Sequence, residues 1–216
     1  MSETVEKRKL FEQLAVVAKS FGHEYRLELL ELVAQCERSV EALTQLTGLP
    51  VGTVSQHLQQ LRRGGLVVAR KEGRFVYYSL AGNEVMSLLE SLREVAENNL
   101  AEVRRLTEQY YSEQDELDPV SSDELLEKLR AGEVTLLDVR PQDEYMAGHL
   151  PGAINIPLDE LAQRFQELPN DQEVVAYCRG LYCALSLQAI RYLRQSGLQA
   201  LRLSEGYPQS GGLGSK

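Results

Sequence analysis

The chain has 216 residues, 43% hydrophobic and 25% charged, with a formal net charge of −9. No segment reaches the run of about 18 apolar residues that a membrane span needs, and the charged start MSETVEKRKLFEQ is no secretory leader, so a cytoplasmic protein without membrane contact is expected. Three cysteines (Cys36, Cys178, Cys183) are too few for a disulfide scaffold and suit a reducing compartment.

Apolar side chains at Leu10, Phe11, Leu14, Val17, Ala18 and Phe21 recur at a helical period, and a second helix is expected over 24–35. Ser39 reads as the N-cap of a short helix from Val40 to Leu46, closed by Thr47-Gly48. A turn, Leu49-Pro50-Val51-Gly52, leads to a helix from Thr53 to Arg63, which Gly64-Gly65 ends. Two short helices around such a turn predict a helix-turn-helix. The β-prone runs 66–70 and 74–80, split by Lys71-Glu72-Gly73, predict a hairpin, completing a winged helix. The charge is uneven. Residues 39–80 hold Arg62, Arg63, Arg70, Lys71 and Arg74 against Glu41 and Glu72, whereas 81–118 are strongly acidic. A basic island on an acidic chain is the footprint of a DNA reader.

One long helix is expected from Asn83 to Tyr111, with the seam Val85, Leu89, Leu92, Ala96, Leu100, Val103, Leu106 and Tyr110. So long a helix has little of its own domain to cover it, which favours a homodimer through helices 7–21 and 83–111. SEQDELDP (112–119) reads as a linker, giving domains 1–111 and 119–216 joined by 112–118. The closing SGGLGSK reads as a frayed tail.

Residues 7–110 resemble the ArsR/SmtB-type winged helix-turn-helix repressors. The resemblance is carried by Thr53-Val54-Ser55-Gln56-His57-Leu58-Gln59-Gln60-Leu61 and Gly73-Arg74-Phe75-Val76-Tyr77-Tyr78. It implies a homodimer on a double-stranded DNA operator. Thr53, Ser55, Gln56, His57, Gln59 and Gln60 are the candidates for base edges, with Thr53, Ser55, Gln56 and Gln60 favoured over His57. Arg62, Arg63, Lys71 and Arg74 are candidate phosphate partners. The family's cysteine-containing metal box would fall at Ser39–Leu46, which reads SVEALTQL, and helix 83–111 has no His or Cys. No metal and no cofactor are therefore expected.

In the second half, Val174-Val175-Ala176-Tyr177 delivers Cys178 to the short loop Arg179-Gly180-Leu181-Tyr182-Cys183, and an amphipathic helix from Ala184 to Arg194 follows. A thiol facing a helix N-terminus meets unpaired N–H groups and the positive end of the dipole, both of which favour thiolate. Upstream stand Leu136-Leu137-Asp138-Val139-Arg140, Glu144-Tyr145 and Gly148-His149-Leu150-Pro151-Gly152-Ala153-Ile154-Asn155-Ile156-Pro157. Together these resemble the rhodanese (sulfurtransferase) family over about residues 119–208. The resemblance implies an α/β fold with a central parallel sheet and a cysteine that carries sulfane sulfur as a persulfide.

By that resemblance Cys178 takes sulfur from thiosulfate, a persulfide or a polysulfide, and the N–H groups of 179–183 cup the outer sulfur. Arg179 is expected to lower the thiol pKa and attract anionic donors. Asp138 and Arg140 read as a supporting ion pair and His149 as structural. Cys183 is either packing or a resolving thiol. An oxyanion phosphatase needs an Arg six residues after the nucleophile; here that position is Ala184. The loop has Leu181 where fused rhodaneses often have Pro, and the chain lacks Trp. The expected function is a DNA-binding repressor whose rhodanese domain carries or senses sulfane sulfur on Cys178. The alternative is a sulfurtransferase enzyme whose DNA domain answers to another effector.

Overall fold

The computed structural model describes residues 2–112, 119–180, 182–204 and 206–207. It divides into two compact units, Met1–Ala96 and Glu97–Lys216.

In the first unit, α1 (Ser2–Phe21) and α2 (Glu24–Gln35) precede a short strand β1 (Arg38–Ser39) and α3 (Val40–Thr47). Ser39 caps α3, its hydroxyl accepting from the Ala42 N–H at 3.1 Å. Helix α4 (Val51–Arg63) begins two residues earlier than expected. Pro50 starts it by offering its carbonyl to Thr53 and Val54 at 2.9 and 3.0 Å. The wing is β2 (Val67–Glu72) paired antiparallel with β3 (Phe75–Leu80), and β1 pairs with the far edge of β3. Leu29, Leu30, Leu43, Val54, Leu58 and Leu61 form the fully buried centre of this unit.

The single helix expected over 83–111 is two: α5 (Asn83–Asn99) and α6 (Ala101–Ser112). Asn98 and Asn99 compete with the ladder and weaken it. The Asn98 carbonyl is taken instead by the Arg104 guanidinium at 3.2 Å. Val85 and Leu89 pack into the first unit's core, while Leu88, Leu92 and Val95 remain exposed. Most of the expected linker and the expected frayed tail lie outside the described residues.

In the second unit, α7 (Ser122–Ala131), β4 (Val134–Asp138), α8 (Gln142–Ala147), β5 (Ile154–Asn155), α9 (Leu161–Arg164), β6 (Glu173–Tyr177), α10 (Ala184–Gln195) and β7 (Ala200–Arg202) follow in order. The strands form a parallel sheet in the order β5-β4-β6-β7. β4 and β6 are the inner strands, covered on both faces, which is why they read as continuous apolar runs. Successive side chains alternate between the faces. Leu137, Val139, Val174, Ala176 and Cys178 join the cluster under α10, while Leu136, Val175 and Tyr177 join Leu125 of α7 on the other face.

Candidate functional site

Cys178 directly follows β6 and faces the first turn of α10; it is 2% exposed. Its Sγ lies 3.3 Å from the Ser186 hydroxyl and 3.4 Å from the Cys183 carbonyl. Burial alone pushes the thiol pKa up. Hydrogen bonds to the sulfur from the Cys183 and Ser186 side chains and the Ser186 and Gly180 N–H groups outweigh it, bringing the pKa down to about 6. A thiol at that value is largely thiolate at neutral pH. Cys183 moves the opposite way, because its proton is engaged by Cys178 and its site is buried. Of the two thiols, Cys178 is the one more ready to ionise.

The backbone on either side of Cys178 and Cys183 is held at several points. Gly180 has φ +150°, a conformation that side chains rarely adopt, and its carbonyl accepts the Cys183 N–H at 3.0 Å. From behind, the Tyr207 N–H donates to the Cys178 carbonyl at 2.9 Å. A Cβ at Gly206 would collide with the backbone of Gly180 and Arg179. Leu181 lies outside the described residues, and Tyr182 is exposed.

Arg179 interacts electrostatically with Cys178, but its closest contact is a carboxylate. Its guanidinium grips the fully buried Glu144 carboxylate with contacts of 2.7, 3.0 and 3.1 Å. The carboxylate that neutralises it is supplied by α8, so the loop presents less positive charge to an incoming donor than the sequence implies. The Cys178 anion is favoured most by hydroxyl, thiol and backbone hydrogen bonds. Asp138 and Arg140 form a fully buried pair at 2.6 Å, and Arg140 also donates to the Gly148 carbonyl at 2.8 Å. The Tyr207 ring covers that guanidinium at 4.4 Å. His149 stacks on Tyr145 at 3.8 Å.

The second surface is α4. Val54, Leu58 and Leu61 face the core, which turns Gln56, Gln59 and Arg63 outward at the helical period. Arg62 is exposed beside them, and Thr53, Ser55 and Gln60 flank the face half-buried. His57 points away from it. Its ring lies 4.4 Å from His23 and 5.6 Å from Tyr25, and its Nδ1 is buried without a hydrogen bond. That position follows from helical phase, since residue 57 is three from 54 and four from 61. His57 therefore lies off the outward face of α4, against His23 and Tyr25.

Lys71 and Arg74 stand exposed at the wing turn, with Arg74 resting on the Phe75 ring at 4.9 Å. Arg70, part of the basic island, is occupied by Glu37 and Glu72 at 2.6 Å each.

Three residues that the structure brings into these sites were not among the sequence candidates: Ser186, Glu144 and Gly206. Gln59, which was a candidate, lies on the outer face, where counting from Val54 places it. Glu144 belongs to a motif already singled out, but nothing in its spacing names Arg179 as its partner.

A winged helix-turn-helix joined to a parallel α/β unit with a thiolate-holding loop defines a two-module regulatory protein. Two family models match: bacterial regulatory protein, arsR family, over residues 23–68, and rhodanese-like domain over 121–209. The HTH-type transcriptional regulator Rv0324 of Mycobacterium tuberculosis is 46% identical over 200 residues, covering 93% of this chain and 88% of its own. The chain belongs to the arsR family of bacterial regulatory proteins, in a form that carries a C-terminal rhodanese-like domain.

A sulfurtransferase of Allochromatium vinosum is 38% identical over 79 residues, covering 36% of this chain and 72% of its own. The NMR structure of the homodimeric winged helix-turn-helix DNA-binding domain of Mb0332 from Mycobacterium bovis is 43% identical, covering 44% of this chain and 89% of that one, with a TM-score of 0.42.

Proposed function

We propose that the protein is a homodimeric transcriptional repressor that loads sulfane sulfur on Cys178 as a persulfide and changes its hold on operator DNA in response. The observation that carries this reading is the buried Cys178 sulfur, beside the Ser186 hydroxyl and held with its pKa lowered by the Cys183 and Ser186 side chains and the Ser186 and Gly180 N–H groups. A merely structural cysteine needs no such surroundings, and buried free cysteines are ordinarily inert. The loaded sulfur is itself an anion at neutral pH, and the same N–H and hydroxyl groups suit it.

The DNA-reading part of the proposal rests on the outward face of α4 and the wing tip. Gln56 and Gln59 can address base edges, while Arg62, Arg63, Lys71 and Arg74 can address phosphates. Dimerisation through α1 and α5 is supported by their uncovered apolar side chains, Leu10, Phe11 and Leu14 on one and Leu88, Leu92 and Val95 on the other. The relative from Mycobacterium bovis is described as homodimeric. The proposed domains are 1–111 and 119–216, joined by 112–118.

A second reading, a sulfurtransferase whose DNA domain answers to another effector, draws on the relative named a sulfurtransferase. One experiment separates the two. An operator duplex recovered by selection from random DNA is titrated by fluorescence anisotropy at fixed salt, before and after treatment with a polysulfide, for wild type and Cys178→Ser. The repressor reading expects treatment to shift wild-type affinity and leave Cys178→Ser unmoved. Equal binding by both proteins under every condition, with sulfur transfer retained, supports the enzyme reading.

A further inference from the structure

We propose that Cys183 resolves the persulfide on Cys178, closing a Cys178–Cys183 disulfide and expelling the sulfane sulfur as sulfide. The site is then a sulfane-sulfur reductase that turns over once per reduction as well as a carrier. This inference rests on the persulfide reading above.

The geometry starts with two free thiols in one cluster, Cys178 2% and Cys183 8% exposed. Cys183, the N-cap of α10, places its carbonyl 3.4 Å from the Cys178 Sγ. The two side chains belong to one buried cluster. An external acceptor would have to enter this enclosed space to reach Sγ, whereas Cys183 is already there. Holding two reactants together in this way is worth a large effective concentration. The proton placement fits the order of events: Cys178 is the thiolate that attacks first, and Cys183 keeps a proton to give later.

The chemistry balances without an added oxidant. In the first step the Cys178 thiolate bonds to the outer sulfur of a small persulfide, and the electron pair of the donor's S–S bond leaves with the donor thiolate. In the second, the Cys183 sulfur bonds to the Cys178 Sγ. The bond from Sγ to the outer sulfur breaks, and its electron pair departs on that sulfur, which takes the Cys183 proton and leaves as hydrosulfide. One persulfide and one thiol become one disulfide and hydrogen sulfide. The sulfane sulfur is reduced and the two cysteines are oxidised. A dithiol reductant restores both by exchange.

The test treats the full-length protein, without oxygen, with one equivalent of glutathione persulfide. Released sulfide is trapped and counted against a Cys178→Ser control, and intact mass and disulfide-linked peptides are measured. The proposal expects wild type to release one equivalent of sulfide per protomer, lose the mass of two hydrogens and regain it with dithiothreitol. Cys183→Ala is expected to retain one extra sulfur and release none.

Wild type that keeps the extra sulfur with Cys183 still open to alkylation overturns the inference and leaves the carrier reading standing. No modification of Cys178 in any protein overturns the persulfide reading itself. Should Cys183→Ala fail to fold, the wild-type peptide map decides alone.

Discussion

The hydroxyl of Ser186 lies 3.3 Å from the sulfur of Cys178, although the two are eight residues apart and in different elements. Ser186 contributes both its hydroxyl and its N–H to the sulfur. It is one of the groups that let a buried thiol ionise.

Replacing Ser186 with Ala removes one donor and keeps the backbone one. The Cys178 pKa, held at about 6 in the native protein, is expected to climb toward the ordinary thiol value. A rise of roughly one unit corresponds to about 1.4 kcal/mol of lost preference for the thiolate. The rate of iodoacetamide labelling at Cys178 against pH gives the answer directly. An unchanged inflection would show that the backbone groups suffice.

Glu144 is fully buried and binds Arg179, so Glu144→Gln strands a largely covered guanidinium. Removing one partner of such a pair is expected to cost about 3 kcal/mol, the lower end of the range because Arg179 keeps some contact with water. Urea unfolding of the full chain measures it. The same experiment on Asp138→Asn is expected to cost more, since neither Asp138 nor Arg140 touches solvent.

Gly206→Ala tests whether the C-terminal segment sets the loop. The added Cβ meets backbone, which cannot turn aside as a side chain can. Labelling of Cys178 at pH 7 is expected to slow by roughly tenfold to a hundredfold, the scale on which small misplacements act. Retained speed would mean that the loop holds its own shape.

On the DNA side, Gln59→Ala and Lys71→Ala are expected to fail differently. Loss of Gln59 weakens the selected operator by about 1–3 kcal/mol and barely affects random DNA. Loss of Lys71 weakens both alike and reduces the salt dependence by about one unit of slope. Anisotropy titrations over a salt series distinguish the two patterns.

His57 makes stability depend on pH. Burial first, then His23 and Arg26, hold its imidazole below the usual range. The unfolded chain takes up this proton near pH 6.5, to about one unit, while the folded chain resists it. The unfolded state then binds more protons, so stability is complete above that pH and declines as pH drops through it. His57→Phe is expected to flatten that part of the curve of urea midpoint against pH.

Much of this architecture was legible in the residues. Period and caps gave the helices of the first unit, because Val54, Leu58 and Leu61 can share a core only on a helix. Continuous apolar runs gave β4 and β6, because inner parallel strands have no wet face. What the residues hid was pairing across distance. Arg179 could be read as a neighbour of Cys178 but not as the partner of Glu144, which only the packing of α8 beside the loop supplies. The break at Leu100 was hidden by a seam that runs through it in phase, while the two asparagines acted on the backbone ladder instead of the apolar pattern.

β6 is bonded on one side to β4 and on the other to β7, and both its faces are covered. Its amides should be among the last in the second unit to exchange with deuterium, since nothing short of broad unfolding frees them. The sulfur attached to its end inherits that stillness. Breathing of the strand cannot widen the way to Cys178, which is 2% exposed. A sulfur so deeply set is expected to react with compact donors faster than with sulfur carried on a folded protein.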